Sequence, residues 1–81
     1  MAHIKLSYTA PWNPRLINGY KDRYTEAGGR YFKVHAEYIG GVWYIEEIDA
    51  EGESLWQNYS DLAFTLAEAR QKIAAETETT E

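Results

Sequence analysis

Two glycines, Gly40 and Gly41, stand between two runs rich in β-formers, Tyr31 to Ile39 and Val42 to Ile48. A two-residue hairpin of type I′ needs positive φ at both central residues, and glycine adopts that geometry without strain. The pair therefore predicts an antiparallel hairpin with Ile39 opposite Val42 and Tyr38 opposite Trp43. Side chains alternate between faces along a strand. One face then carries Phe32, Val34, Ala36, Tyr38, Trp43 and Ile45, and the other Tyr31, Lys33, His35, Glu37, Tyr44 and Glu46. The alternation breaks at Glu46-Glu47, so Ile48 falls on the polar face. A β-bulge there would return it to the core.

Around this hairpin the remaining elements are read from punctuation. Ile4, Leu6 and Tyr8 alternate with polar residues and predict a first strand that ends near Ala10, before Pro11 and Pro14. From Pro11 to Arg30 the pattern is broken by Gly19, Gly28 and Gly29. One helical turn around Leu16 to Tyr24 is expected there, because long structureless loops are uncommon in small domains. Asp49-Ala50-Glu51-Gly52 reads as a turn, with Asp early and Gly late. Leu55 to Tyr59 is then the returning strand. Thr65 and Glu68 have the spacing of a capping box and open a helix from Leu66 to about Ala75. Leu66, Ala69 and Ile73 form its inward stripe, with Leu62 or Phe64 packed just before it.

The expected fold is α+β: an antiparallel meander of three to four strands packed against one C-terminal helix. Residues 1–76 make one domain, and residues 77–81 a disordered acidic tail. At 81 residues the chain supports one small core.

Composition narrows the chemistry. Without cysteine, disulfides, zinc thiolates and thiol nucleophiles drop out. No apolar run approaches the roughly 20 residues needed to span a bilayer. No signal peptide is visible, so a cytoplasmic location is the default expectation. Eight Lys and Arg stand against thirteen Asp and Glu, for a net charge of −5. That balance disfavours duplex DNA, whose binding is driven by cations on phosphates. It suits a basic protein partner.

Candidate catalytic groups are sparse. His35 lies among Glu37, Glu46 and Tyr44, a pattern that reads more simply as a cross-strand charge pair than as a metal ligand. Asp49, Glu51 and Glu53 surround Gly52, yet an EF-hand needs its Gly at the sixth position, and Gly52 stands fourth. Ser7, Ser54 and Ser60 have no local base. No enzyme activity, cofactor or metal is expected.

Gly41, Trp43, the Asp49-to-Gly52 turn, Phe64-Thr65 and Glu68-Ala69 together resemble the arm-type DNA-binding domain of phage integrases, over residues 41–76. The resemblance implies three antiparallel strands packed on one helix, with a sheet face that enters the major groove. Where that family is basic, this chain carries Glu46, Glu47, Asp49, Glu51 and Glu53. The functional expectation is therefore a small accessory protein, like those of phages and mobile elements, that binds another protein. The expected surface is an aromatic and acidic sheet face of Trp12, Tyr31, His35, Glu37, Tyr44, Glu46 and Trp56. A divergent nucleic-acid-binding domain and a small-ligand binder are the alternatives. A free edge strand would also allow a homodimer.

Overall fold

The computed structural model describes residues 4–17, 21–36 and 41–78. The fold is α+β. Strands β3 (Arg23–Ala27), β4 (Arg30–Ala36), β5 (Trp43–Ile48) and β6 (Ser60–Ala63) form an antiparallel meander in that order. The helix α1 (Leu66–Glu78) packs on one face. A second, two-stranded sheet of β1 (Thr9–Ala10) and β2 (Asn13–Ile17) packs on the other.

The sheet therefore has two buried faces. Phe32, Val34, Ile45 and Ala63 meet Ala69 and Ile73 of the helix, together with Ile4. Ala10, Tyr24 and Ile48 form a smaller cluster on the opposite face, with Trp12, Leu16 and Tyr31 packed against it. This arrangement explains β5, where Ile45, Glu46, Glu47 and Ile48 are all buried in succession. It also removes the need for a bulge at Glu46-Glu47. The β4–β5 ladder is continuous to Tyr31 opposite Ile48, and Ile48 is 1% exposed on the face where alternation puts it. Glu47 correspondingly lies on the helix face. Arg30 holds it there through two bonds, Nη2 to Oε1 at 2.7 Å and Nε to Oε2 at 3.2 Å. The same Nη2 reaches Glu76 Oε2 of the helix at 3.0 Å.

The type I′ hairpin forms at the other glycine pair. Ala27 opposes Arg30 across Gly28 and Gly29, whose φ angles are +60° and +76°. Of the stretch expected to hold a helical turn, Leu16 and Ile17 belong to β2 and Arg23 and Tyr24 to β3, and residues 18–20 lie outside the described residues. Between β4 and β5 the last pair is Ala36 with Trp43, so the register lies two residues from the one predicted. A two-residue shift keeps every side chain on its face, whereas one residue would exchange the faces. Gly41 has the expected positive φ of +63°. Tyr38, Ile39 and Gly40 lie outside the described residues.

Three further expectations are corrected. The returning strand is Ser60–Ala63, and Trp56 to Asn58 form a turn before it. Leu62 and Phe64 are exposed instead of packed beneath the helix. The helix runs on through Thr77 and Glu78, which the sequence assigns to the tail. Thr77 is buried and its hydroxyl donates to Ile73 O and Ala74 O. The helix start is as predicted: Thr65 Oγ1 accepts from Glu68 N at 3.0 Å, although the Glu68 carboxylate accepts from Phe64 N instead of Thr65 N. At the N-terminus, Ser7 pairs with Tyr24 by two backbone bonds, Ile4 is buried and Tyr8 points outward.

Candidate interaction surface

The faces of the predicted surface are right, but its area is smaller. Tyr31, His35, Tyr44 and Glu46 do share the face away from the helix. The β1–β2 hairpin covers part of it. Trp12 lies against Tyr31 with ring centroids 4.4 Å apart and meets Tyr24 edge-on at 6.4 Å. The Trp12 indole N–H and the Asn13 amide both donate to Ala50 O, at 3.0 and 3.2 Å. Leu16 packs on Gly52, where a Cβ would come within 2.8 Å of Leu16 Cδ2. Trp12 and Tyr31 thus belong to the second core. Aromatic identity could not distinguish the two roles, since a ring suits a core as well as an interface.

Glu46 is also committed. It is 8% exposed, accepts from Ser54 Oγ at 2.7 Å and pairs with Lys33 Nζ at 3.4 Å. Glu37 lies outside the described residues. What stays uncovered is the other end of the face. His35 opposes Tyr44, with rings 5.4 Å apart, and Tyr44 opposes Leu62. These three make a row across β4, β5 and β6. Leu62 is 52% exposed, Phe64 two residues on is 74% exposed, and Trp56 is 56% exposed in the turn before β6. Leu62 and Phe64 were missed because the strand was placed too early. The signal was there: Ala63 and Ala69 are the small residues that let strand and helix approach, so the neighbours of Ala63 must face away from the helix.

The cations are largely engaged. Arg30 holds Glu47 and Glu76, and the Glu47 bond raises its already high pKa against the opposing effect of burial. Lys72 pairs with Asp61 and, less closely, Glu68. Arg23 lies 3.9 Å over the Tyr8 ring and donates to Tyr8 Oη and Lys21 O. The residues a phosphate-binding reading would draw on, Lys21, Arg23, Arg30 and Lys33, therefore form no cluster: Arg23 and Arg30 lie on the helix face and Lys33 on the other. In the acidic turn, Asp49 Oδ1 accepts from the amides of Glu51 and Glu53, which fixes the turn with that oxygen. Among the described residues no three His, Asp or Glu side chains are grouped to hold a metal ion. None of their helices is long and apolar enough to cross a membrane.

Two titratable groups on the helix side of the β5–β6 pair are shifted. The Leu62 amide holds Asp61 below the usual carboxylate range, against the opposing effect of burial and with further help from Lys72 and Tyr59. Tyr59 is pushed up to about 12, mainly by burial and then by the charge of Asp61. Comparison with protein-family models, curated proteins and solved structures gives no match.

Proposed function

We propose that this chain is a protein-binding module that docks through the row His35, Tyr44 and Leu62, with Phe64 beside it and Trp56 exposed in the turn before β6. The observation that carries the reading is the exposure of Trp56, Leu62 and Phe64 in a chain that buries Tyr24, Phe32 and Ile48 within two separate cores. Large apolar groups that cluster in the open mark interfaces more often than they mark accident. The partner has an apolar surface with a basic rim, in keeping with the net charge of −5 and the exposed Glu51 and Glu53. The resemblance of residues 41–76 to the integrase arm-type domain is in keeping with an accessory protein of a mobile element.

The test is photo-crosslinking from position 62 in cells, followed by identification of the captured protein and binding measurements with it. Trp56→Ala and Phe64→Ala should weaken that complex by 2 kcal/mol or more each, about thirtyfold. Both positions are exposed, so the melting temperature should stay put. Unchanged affinity in both variants would remove this surface from the interface. A complex that is nucleic acid and weakens steeply between about 0.05 and 0.2 M salt would support phosphate binding instead.

A further inference from the structure

Strand β6 is an edge of the four-stranded sheet, and edge strands invite pairing with another chain. Which of its backbone groups face outward follows from alternation. Glu47 N donates to Tyr59 O, and the register continues through Ile45 with Asp61 and Trp43 with Ala63. Those are the hydrogen-bonded pairs. Ser60 and Leu62 stand between them, so their N–H and C=O groups point away from β5.

The outward groups of Leu62 are occupied by charged side chains. Asp61 Oδ1 accepts from Leu62 N at 2.7 Å, and Lys72 Nζ donates to Leu62 O at 2.8 Å. Two residues on, Glu68 Oε1 accepts from Phe64 N at 2.8 Å. Lys72 ties the two carboxylates together, 3.2 Å from Asp61 Oδ2 and 3.7 Å from Glu68 Oε2. One cation of the helix and two acids thus close the edge that the strand leaves open.

We propose that the Asp61–Lys72–Glu68 network is a guard on β6, and that the edge beneath it is a latent pairing surface for a second copy of this chain. The register follows from charge. With β6 antiparallel to itself, one alignment puts Asp61 opposite the second copy's Asp61, which like-charge repulsion disfavours. The alignment two residues along sets Leu62 opposite the second copy's Leu62. Each donates its N–H to the other's C=O, and Asp61 faces the second copy's Ala63. The two open rows then join into one apolar band, Tyr44 and Leu62 of one copy followed by Leu62 and Tyr44 of the next. Pairing is isologous, as a two-fold axis requires. It does not rest on the docking reading above, because it is argued from the outward backbone groups of Leu62 and the side chains that occupy them.

Sedimentation equilibrium of the full chain is the test. The wild type should be monomeric. Lys72→Met keeps the apolar stem and removes the donor, and Lys72→Met with Asp61→Ala clears both groups of Leu62. Self-association should tighten roughly tenfold or more with each step, toward a dimer. Adding Leu62→Pro should return the double variant to monomer. Proline is tolerated where the edge N–H faces away from the sheet, and it removes that donor. Circular dichroism checks that each variant is folded. A folded double variant that stays monomeric overturns the proposal, as does a dimer that survives Leu62→Pro or a wild type that is already dimeric. If the double variant unfolds, Lys72→Met alone decides by the same readings.

Discussion

Trp12 lies on Tyr31, ring centroids 4.4 Å apart, and this tilted ring contact joins the N-terminal hairpin to a sheet that already has a helix on its other side. The hairpin adds its second bond at the same point, from the Trp12 indole to Ala50 O.

Trp12→Ala should therefore remove the ring contact with Tyr31, an edge contact with Tyr24 and a hydrogen bond together. Trp12 is half-buried, so the cost falls below that of a fully buried ring, at about 2 kcal/mol. In a domain of this size that lowers the melting temperature by roughly 8–16 °C. A change under about 2 °C would show that the hairpin contributes little to stability.

Arg30→Ala leaves the Glu47 carboxylate buried beneath the helix without its bidentate partner. Stranding one member of such a pair costs about 3 kcal/mol. Arg30→Lys should recover only part of the loss, because an ammonium cannot match the two-pronged contact. Denaturant titration of the two variants beside wild type measures both effects. Full recovery by lysine would show that charge alone matters here.

Gly28 and Gly29 separate two causes of strain. At Gly29 a Cβ would meet nothing within 4 Å, so Gly29→Ala costs only its left-handed backbone, about 1 kcal/mol. At Gly28 the added atom comes 3.2 Å from Thr77 Cβ, so Gly28→Ala should cost more, about 2 kcal/mol. Equal melting temperatures for the two variants would mean that the end of the helix gives way freely.

Asp61 gives a pH dependence of defined sign. Its folded pKa lies below the ordinary value of 3.8, chiefly because the Leu62 amide bonds the charged form. The stabilisation is thus present in full above the unfolded pKa and is lost as pH falls through the folded one. Between pH 7 and 5 the melting temperatures of wild type and Asp61→Asn should run parallel. Below about pH 4 they should converge. A gap that stays constant down to pH 2 would show that Asp61 carries no shift.

How far the fold could be read from the chain depends on period more than on register. The helix start needed only Thr65 and Glu68, and the faces of β4 and β5 needed only parity, which survives a two-residue slip. Ile48 was misjudged because a second core was not anticipated. With one buried face its position demands a bulge, and with two it demands nothing. The Gly-Gly signal occurs twice, and among the described residues the two-residue turn is the one between Ala27 and Arg30. Of the expected surface residues, His35 and Tyr44 remain at the open end, and Trp56 is exposed in the turn before β6. Trp12 and Tyr31 are half-buried and Glu46 is buried, through contacts such as Trp12 with Ala50 and Glu46 with Ser54, which no local pattern encodes.

The hairpin of β1 and β2 has only two and five residues to its strands, too few to hold together in water alone. Its order is borrowed from Tyr31, Ala50 and Gly52, which must be in place first. It should therefore be the last part to arrive in folding and the first to leave in native-state fluctuation, with its amides exchanging well before those of β4 and β5. Each such excursion bares Tyr24, Tyr31 and Ile48. The chain then presents apolar surface at both ends of one sheet face, one end permanently and the other for as long as the hairpin is lifted.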